Sequence, residues 1–428
     1  MARTLYSFVL YLLTPLILVR LLWRSLPAPA YRHRWRERFG RVPAIRGDGE
    51  VIWVHSVSVG ETLAAIPLIE ALGERYPGAA IAVTTMTPTG SERVRAVFGD
   101  RVYHVYAPYD LPHAIARFLG RLRPRMLIIM ETELWPNLIH ACRQRHIPVV
   151  LANARLSAKS AAGYRRFARL TRPMLESLSV VAAQTRDDGE RFLKLGLPVD
   201  TLRVTGNIKF DLKLDEQRRA LAGELDKRWR GSPPRPIWLA ASTHRGEEAM
   251  ILAAHRRLLA EYPSLLLVLV PRHPERFDEV ASLCREQGFV VVRRSSGESP
   301  GPDHQVLLGD TMGELPVFFG ACDLAFVGGS LVPVGGHNMI EPAAWGVPVV
   351  SGPHLFNFAE ASKLLADNGG MKVCADPQAL VGEVGHWLGD AGARRAAGVA
   401  AREVAEANRG ALARLLGVIS RQMPARSQ

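Results

Sequence analysis

The sequence predicts two doubly wound α/β domains in tandem, each a parallel sheet covered by helices. Three observations lead there. From about residue 50, short β-branched runs alternate with helix-length segments, the pattern of repeated strand–helix units. The chain has 428 residues, too many for one ordinary hydrophobic core, so two domains of roughly 150–200 residues are expected. A polar stretch, Trp229-Arg230-Gly231-Ser232-Pro233-Pro234-Arg235-Pro236, divides the strands into two series, and proline and glycine at that density read as a linker.

The first element is an apolar N-terminal segment. Leu5 to Trp23 reads LYSFVLYLLTPLILVRLLW, with a single charge, Arg20, near its end. That is about one bilayer thickness of helix, and a long arginine near the interface can snorkel. Arg24, Arg32, Arg34, Arg36, Arg38 and Arg41 follow it, whereas only Arg3 precedes it. By the positive-inside rule this predicts an uncleaved anchor over residues 1–25, spanning the bilayer or lying in its interface, with the bulk of the protein cytoplasmic. A cleaved signal peptide competes, because Ala28-Pro29-Ala30 mimics a small-residue cleavage site. The dense positive charge just beyond it argues against export.

Candidate strands of the first series are Val51–Ser56, Ala80–Thr85, Val102–Tyr106, Met126–Met130, Val149–Asn153, Val180–Ala183 and Arg203–Thr205. The second series is Ile237–Ala241, Leu265–Val270, Val290–Arg293, Val306–Leu308, Leu324–Val327, Val347–Val350 and Met371–Cys374. The expected domains are therefore 26–213, a linker over 214–236, and 237–428 including a terminal helix. Two such Rossmann-like domains facing a central cleft form the architecture of GT-B glycosyltransferases and of sugar-nucleotide epimerases, which does not itself specify a reaction.

Composition narrows the partners. Apolar content of 48% with 22% charged residues is globular. Lys and Arg number 54 against 41 Asp and Glu, a formal net charge of +13, which suits nucleic acid, an anionic membrane, or phosphorylated and carboxylated substrates. No zinc-finger spacing, RNA-binding aromatic signature or recognition helix supports nucleic acid. Cys142, Cys284, Cys322 and Cys374 lie far apart beside apolar runs and read as buried free thiols. No G-x-G-x-x-G follows the first strand and no Walker A loop occurs, which demotes dinucleotide oxidoreductases and P-loop ATPases.

In doubly wound sheets ligands bind beyond the carboxyl ends of the strands, so the loops there hold the candidate chemistry. After the first strand, His55-Ser56-Val57-Ser58-Val59-Gly60-Glu61 places Glu61 at a strand-to-helix corner, as a functional acid or as a plain complement to the helix N-terminus. Gly60 would let substrate approach the backbone. Glu131 and Glu133 follow the fourth strand and share a side if the strand continues through them; one N-capping and one solvated acid is the plainer reading. Lys209 offers a cation after the seventh strand. In the second half, Arg272-His273 at a strand end suits phosphate or carboxylate, with a solvated basic turn as the plainer alternative. Gly309-Asp310-Thr311-Met312-Gly313-Glu314 precedes a helix, and Gly328-Gly329 and Gly335-Gly336 lead toward another opening near Asn338. Glycine pairs of that kind set bare N–H groups against an anion, and Glu341 could reach ribose hydroxyls. The histidines form no metal constellation, so a metal-free nucleotide site is expected.

With these segments in place, the chain resembles the transferases of 3-deoxy-D-manno-oct-2-ulosonic acid (Kdo) nearly end to end. The matching blocks are HSVSVGET at 55–62, TTMTPTGSER at 84–93, METELWPN at 130–137, ANARLS at 152–157, STHRGEE at 242–248, VPRHPERF at 270–277, GDTMGEL at 309–315, FVGGSLVPVGGHN at 326–338 and GPHLFNF at 352–358. The resemblance implies a CMP-Kdo donor, a lipid A precursor of the lipid IVA type as acceptor, an inverting mechanism, and residence at the inner membrane. It implies Glu61 as general base, with Glu131 and Lys209 stabilising the transition state. CMP contacts would fall on Pro271 and Arg272, on Met312, Gly313 and Glu314, and on Asn338, Met339, Ile340 and Glu341. It implies no cofactor and no metal. A transferase of another nucleotide sugar, an epimerase, and a non-catalytic basic membrane protein are the alternatives.

Overall fold

The computed structural model describes residues 1–26, 29–45, 49–212 and 214–423. The chain forms two compact units: Met1–Asp211 together with Gly410–Gln428, and Leu212–Arg409.

The first unit is built on seven parallel strands, β1 (Val51–His55), β2 (Ala80–Thr85), β3 (Tyr103–Tyr106), β4 (Met126–Met130), β5 (Val149–Ala154), β6 (Val180–Ala183) and β7 (Leu202–Val204). They lie in the order β3-β2-β1-β4-β5-β6-β7. β1 and β4 are buried along their whole length, as near-continuous apolar runs must be in a sheet covered on both faces. The chain winds outward from β1 to β3, returns, and continues from β4 on β1's other side. That reversal opens a crevice between β1 and β4 at their carboxyl ends.

The second unit repeats the scheme with β8 (Ile237–Thr243), β9 (Leu266–Pro271), β10 (Val291–Arg293), β11 (Val306–Leu308), β12 (Leu324–Val327), β13 (Val349–Ser351) and β14 (Met371–Val373). Their order is β10-β11-β9-β8-β12-β13-β14, which puts the reversal between β8 and β12. All fourteen strands match runs marked in the sequence, shifted by at most a few residues. The four cysteines are free and buried, as expected.

Two expectations about domain limits need correction. The stretch 214–236 is not a linker: Glu216–Arg230 is a helix that buries Ala222, Leu225 and Trp229 in the second unit. The proline-rich run after it is tied down by Arg235, whose guanidinium donates to the carbonyls of Pro300, Gly301 and His304. Proline density here marks the entry to β8 rather than slack between domains. The terminal helix Ala411–Gln422 belongs to the first unit, not the second. Ala411, Leu415, Val418 and Ile419 lie on one helical face and pack with Ile52, Val54 and Ile69, while Asp211 accepts the N–H groups of Gly410 and Leu412. Residue 213, where the boundary was expected, and Ala28 of the cleavage-site mimic lie outside the described residues.

The N-terminal segment is a helix, Ala2–Arg24, long and apolar enough to cross a membrane. It exposes Leu5, Phe8, Leu12, Leu16, Val19 and Trp23. Its first turns dock on the first unit through polar groups: Tyr6 donates to Asp110 at 3.0 Å, and Ser7 and Arg3 donate to the Asn137 amide oxygen at 2.9 and 3.1 Å. Asp110 also accepts the N–H groups of Asn137 and Leu138.

Candidate active site

In the first unit, the turn after β1 aims Glu61 at the switch-point crevice. Ser58 caps the helix Val59–Arg75, accepting the Glu61 N–H, and Glu61 answers from the third position. Its carboxylate accepts the Ser58 hydroxyl at 2.7 Å and the Val57 N–H at 2.8 Å, a variant of the reciprocal capping box. The two readings of Glu61 therefore coexist: it completes the cap, and it is a buried carboxyl with an unusual pKa. Desolvation, reinforced by the charge of Glu133 and to a smaller degree Glu131, raises it to about 7 against the lowering effect of its two hydrogen bonds. A carboxyl poised near neutrality is matched to proton abstraction. A Cβ on Gly60 would meet nothing closer than the Ser58 hydroxyl at 3.8 Å. Packing within the unit leaves that face of the helix start open.

β4 ends at Met130, so the alternation argument for Glu131 and Glu133 does not apply. Glu131 instead adopts the left-handed conformation, φ 54°, while its N–H still donates to the Ala152 carbonyl at 2.9 Å. A non-glycine residue held there stores strain that the surroundings must over-determine. Lys209 supplies part of that restraint, its ammonium donating to Glu131 at 3.0 Å with both side chains largely enclosed. Lys209 is itself placed by Asn153, another left-handed residue at a strand end, whose amide oxygen accepts the Ile208 N–H. Desolvation raises the Glu133 pKa although the Trp135 indole donates to it. The structure thus brings Glu61, Glu131 and Glu133 close enough for their charges to interact, with Lys209 paired to Glu131. Asn153 was singled out only as part of a motif; its placing of Lys209 left no trace in the local sequence.

In the second unit the reversal between β8 and β12 is equally tight. A Cβ on Gly328 would come within 2.6 Å of the Ser242 carbonyl oxygen, so glycine is obligatory where β12 leaves the sheet. Ser242 sits at φ 55° in a bulge of β8. The glycine pairs do not present bare N–H groups as expected, because the anion there is the protein's own. Glu247, fully buried, accepts the N–H groups of His244, Gly329, Ser330 and Leu331 at 2.7–2.9 Å. Gly335 and Gly336 donate to the Gly329 carbonyl. The glycines shape the loop, and Glu247 staples it to β8.

What remains toward the crevice is cationic and polar. Pro271 ends β9, and the Arg272 N–H donates to the Thr243 carbonyl. Arg272 lies near enough to Glu341 and His337 to lower both pKa values, and desolvation outweighs it at Glu341, whose carboxyl is raised. The Asn338 amide donates to Glu341 at 3.0 Å and accepts the Ile340 N–H at 3.1 Å. Met339 and Ile340 are wholly buried, whereas Asn338 and Glu341 on either side of them are partly exposed. After β11, Met312 is exposed and Gly313 is left-handed, φ 86°. The Glu314 carboxylate takes a hydrogen bond from Arg294 at 2.7 Å and another from Thr311. The sheet order sets this loop beside that of β9, on the same edge as Arg272. Sequence reading missed a contact here: His244 and His337 touch through their Nε2 atoms at 2.8 Å. Ninety-three residues separate them, and no local pattern announces such a pair.

Two doubly wound units, one with a buried carboxyl of raised pKa at its switch point and one with Arg272 and histidines in the loops at its own, have the architecture of the GT-B class. Solved structures agree on the fold. A putative UDP-N-acetylglucosamine 2-epimerase from Listeria monocytogenes aligns with a TM-score of 0.57 at 15% identity, covering 89% of this chain and 98% of that one. A glycosyltransferase from Rickettsia africae aligns with a TM-score of 0.56 at 13% identity, covering 89% and 100%.

Sequence comparison is more specific. A family model described as 3-deoxy-D-manno-octulosonic-acid transferase (kdotransferase) matches residues 33–212. The 3-deoxy-D-manno-octulosonic acid transferase of Haemophilus influenzae is 47% identical over 98% of this chain and 98% of its own. That of Bordetella pertussis is 39% identical over 98% and 99%. The chain belongs to the 3-deoxy-D-manno-octulosonic acid transferase family and is a glycosyltransferase that transfers Kdo.

Proposed function

We propose that this Kdo transferase takes the sugar from CMP-Kdo and delivers it to a lipid A precursor of the lipid IVA type, with inversion, at the cytoplasmic face of the inner membrane. The observation that carries the reading is Glu61, a buried carboxyl with its pKa raised to about 7 at the first unit's switch point. A sugar hydroxyl is far too weak an acid to attack unaided at neutral pH, and a positioned base contributes about 10²–10⁴-fold. In the proposed step Glu61 takes the hydroxyl proton, the oxygen bonds to the anomeric carbon, and the carbon–phosphate-oxygen bond breaks with its electron pair leaving on CMP. The Glu131–Lys209 pair holds fixed charge beside the developing oxocarbenium ion and the Kdo carboxylate. In the second unit, Pro271 and Arg272, the Met312–Glu314 turn and the Asn338–Glu341 segment receive CMP, with Arg272 supplying positive charge to the phosphate. The chemistry asks for no cofactor and no metal.

The helix Ala2–Arg24 is the membrane anchor in this reading, its apolar face in lipid and the arginines after it on the anionic cytoplasmic leaflet. The test is CMP release by the purified protein from CMP-Kdo and lipid IVA, with stereochemistry read from the product by NMR. Release that needs a different nucleotide sugar, or that occurs only with an acceptor lacking lipid A, would discard the assignment.

A further inference from the structure

The paired histidines at the second unit's switch point have no part in the mechanism so far. His244 follows β8 and His337 lies in the loop after β12. Their Nε2 atoms are 2.8 Å apart, their ring planes differ by 6°, and their centroids are 5.0 Å apart. That centroid separation is the nitrogen–nitrogen distance extended by one ring radius at each end. The rings therefore meet edge to edge in one plane rather than face to face. Such a contact needs a proton between the nitrogens, with one imidazole donating Nε2–H and the other accepting and keeping its own proton on Nδ1. The pair can hold one extra proton without losing this bond, because an imidazolium on either side still donates to its neutral partner, now in a charge-assisted bond. A second extra proton would set two donors against each other.

The surroundings decide whether the extra proton is held. Arg272 and His273 face the pair from the end of β9. His273 stands edge-on to His244 with centroids 5.2 Å apart and has Glu275 at 3.8 Å. Glu247 and Glu248 face His244 from the helix Glu247–Leu259 and favour its charged form, although Glu247 already accepts four N–H groups. Burial, Arg272 and His244 together hold the His337 pKa down to about 3, so without a ligand the pair is neutral at neutral pH. A doubly charged anion beside Arg272 reverses the balance.

We propose that the His244–His337 pair takes up one proton when a phosphate monoester dianion binds beside Arg272. The proposal rests on the reading of this crevice as the nucleotide site. In turnover the phosphate passes from diester to monoester and gains one negative charge. A proton drawn from solvent onto the pair meets that charge, while the acceptor's own proton goes to Glu61. Because the ligand raises the pair's pKa, the proton's contribution to CMP affinity is full below the free-state pKa and is lost as pH rises through the bound-state pKa.

Calorimetric titration of the full-length protein in detergent with CMP, at pH 7 in buffers of different ionisation enthalpy, reads the proton count directly. About one proton should be taken up per CMP, and none with cytidine. In His337→Asn the uptake should vanish, with CMP still binding about tenfold more weakly and without pH dependence. Histidine ring nitrogen NMR on the native protein gives a second measurement should that variant fail to fold. Two imidazole nitrogens should move toward imidazolium shifts on adding CMP. Uptake that persists in the variant places the proton on the phosphate and overturns the inference alone, as does binding with no uptake or with unmoved ring signals. Absence of any CMP binding overturns the nucleotide reading beneath it.

Discussion

The two units share one winding scheme and equip it with opposite charge. Each reverses direction beside its first strand, and each holds a left-handed non-glycine residue at the carboxyl end of a central strand, Glu131 and Asn153 in the first and Ser242 in the second. At the first unit's crevice burial, reinforced by the charges of Glu133 and Glu131, raises the Glu61 pKa to about 7, while Lys209 is taken up by Glu131. At the second, the fully buried carboxylate of Glu247 is consumed by backbone N–H groups, and Arg272 and the imidazoles of His244 and His337 remain. The lesson is that a switch point supplies a place and not a polarity. Whether it accepts protons or anions depends on a few side chains in the loops beyond the strands' carboxyl ends.

The comparison breaks most sharply at Glu61. Glu61→Gln should lower transfer by about 10²–10⁴-fold while CMP affinity stays unchanged. Turnover near that of the parent protein would remove the base from the first crevice. The same residue makes activity pH-dependent: below about 7 the carboxyl is protonated, so kcat/KM should drop tenfold per pH unit. Stability runs the other way. The folded pKa of about 7 exceeds the ordinary 4.5, so the folded state binds more protons between those values and loses stability as pH rises through them. Glu61→Gln should therefore raise Tm relative to the parent at pH 8 and hardly at all at pH 4.

Next in size is the second crevice. Arg272→Ala should raise the Kd for CMP by about 10–100-fold, the scale of a lost charge-assisted hydrogen bond, and leave the Glu61 pH profile where it was. Lys209→Ala should cost about tenfold in kcat with little change in CMP affinity, because it leaves Glu131 enclosed without its partner; equal loss in both would make Lys209 part of nucleotide binding. The smallest effect belongs to Gly60→Ala. Its Cβ has room and φ is ordinary, so Tm should move by about a degree or less. Any loss of transfer would then report acceptor passing close to the helix start.

The sheets were legible because buried parallel strands must be apolar throughout, and such runs as Met126–Met130 and Leu266–Pro271 stand out against their flanks. The loops after them were legible as positions for chemistry for the same topological reason. Three things were not. The terminal helix has an ordinary amphipathic stripe, and nothing in Ala411–Gln422 says which sheet it covers. The glycine pairs looked like an anion cradle, but the anion that fills the first was Glu247, some eighty residues upstream. The His244–His337 contact depends on β8 and β12 being neighbours, which only the assembled sheet decides.

The return of Ala411–Gln422 to the first unit has a consequence for the order in which this protein is made. The second unit is one continuous run, Leu212–Arg409, and can close its core as soon as that run has left the ribosome. The first unit is synthesised earlier, yet a face of its sheet around Ile52, Val54 and Ile69 stays uncovered until Leu415, Val418 and Ile419 arrive. Glu61, Glu131 and Glu133 thus belong to the part of the nascent chain that waits longest for its last piece. During that wait an apolar sheet face and an apolar N-terminal helix are exposed together, the combination that recruits a chaperone or a membrane to a nascent chain.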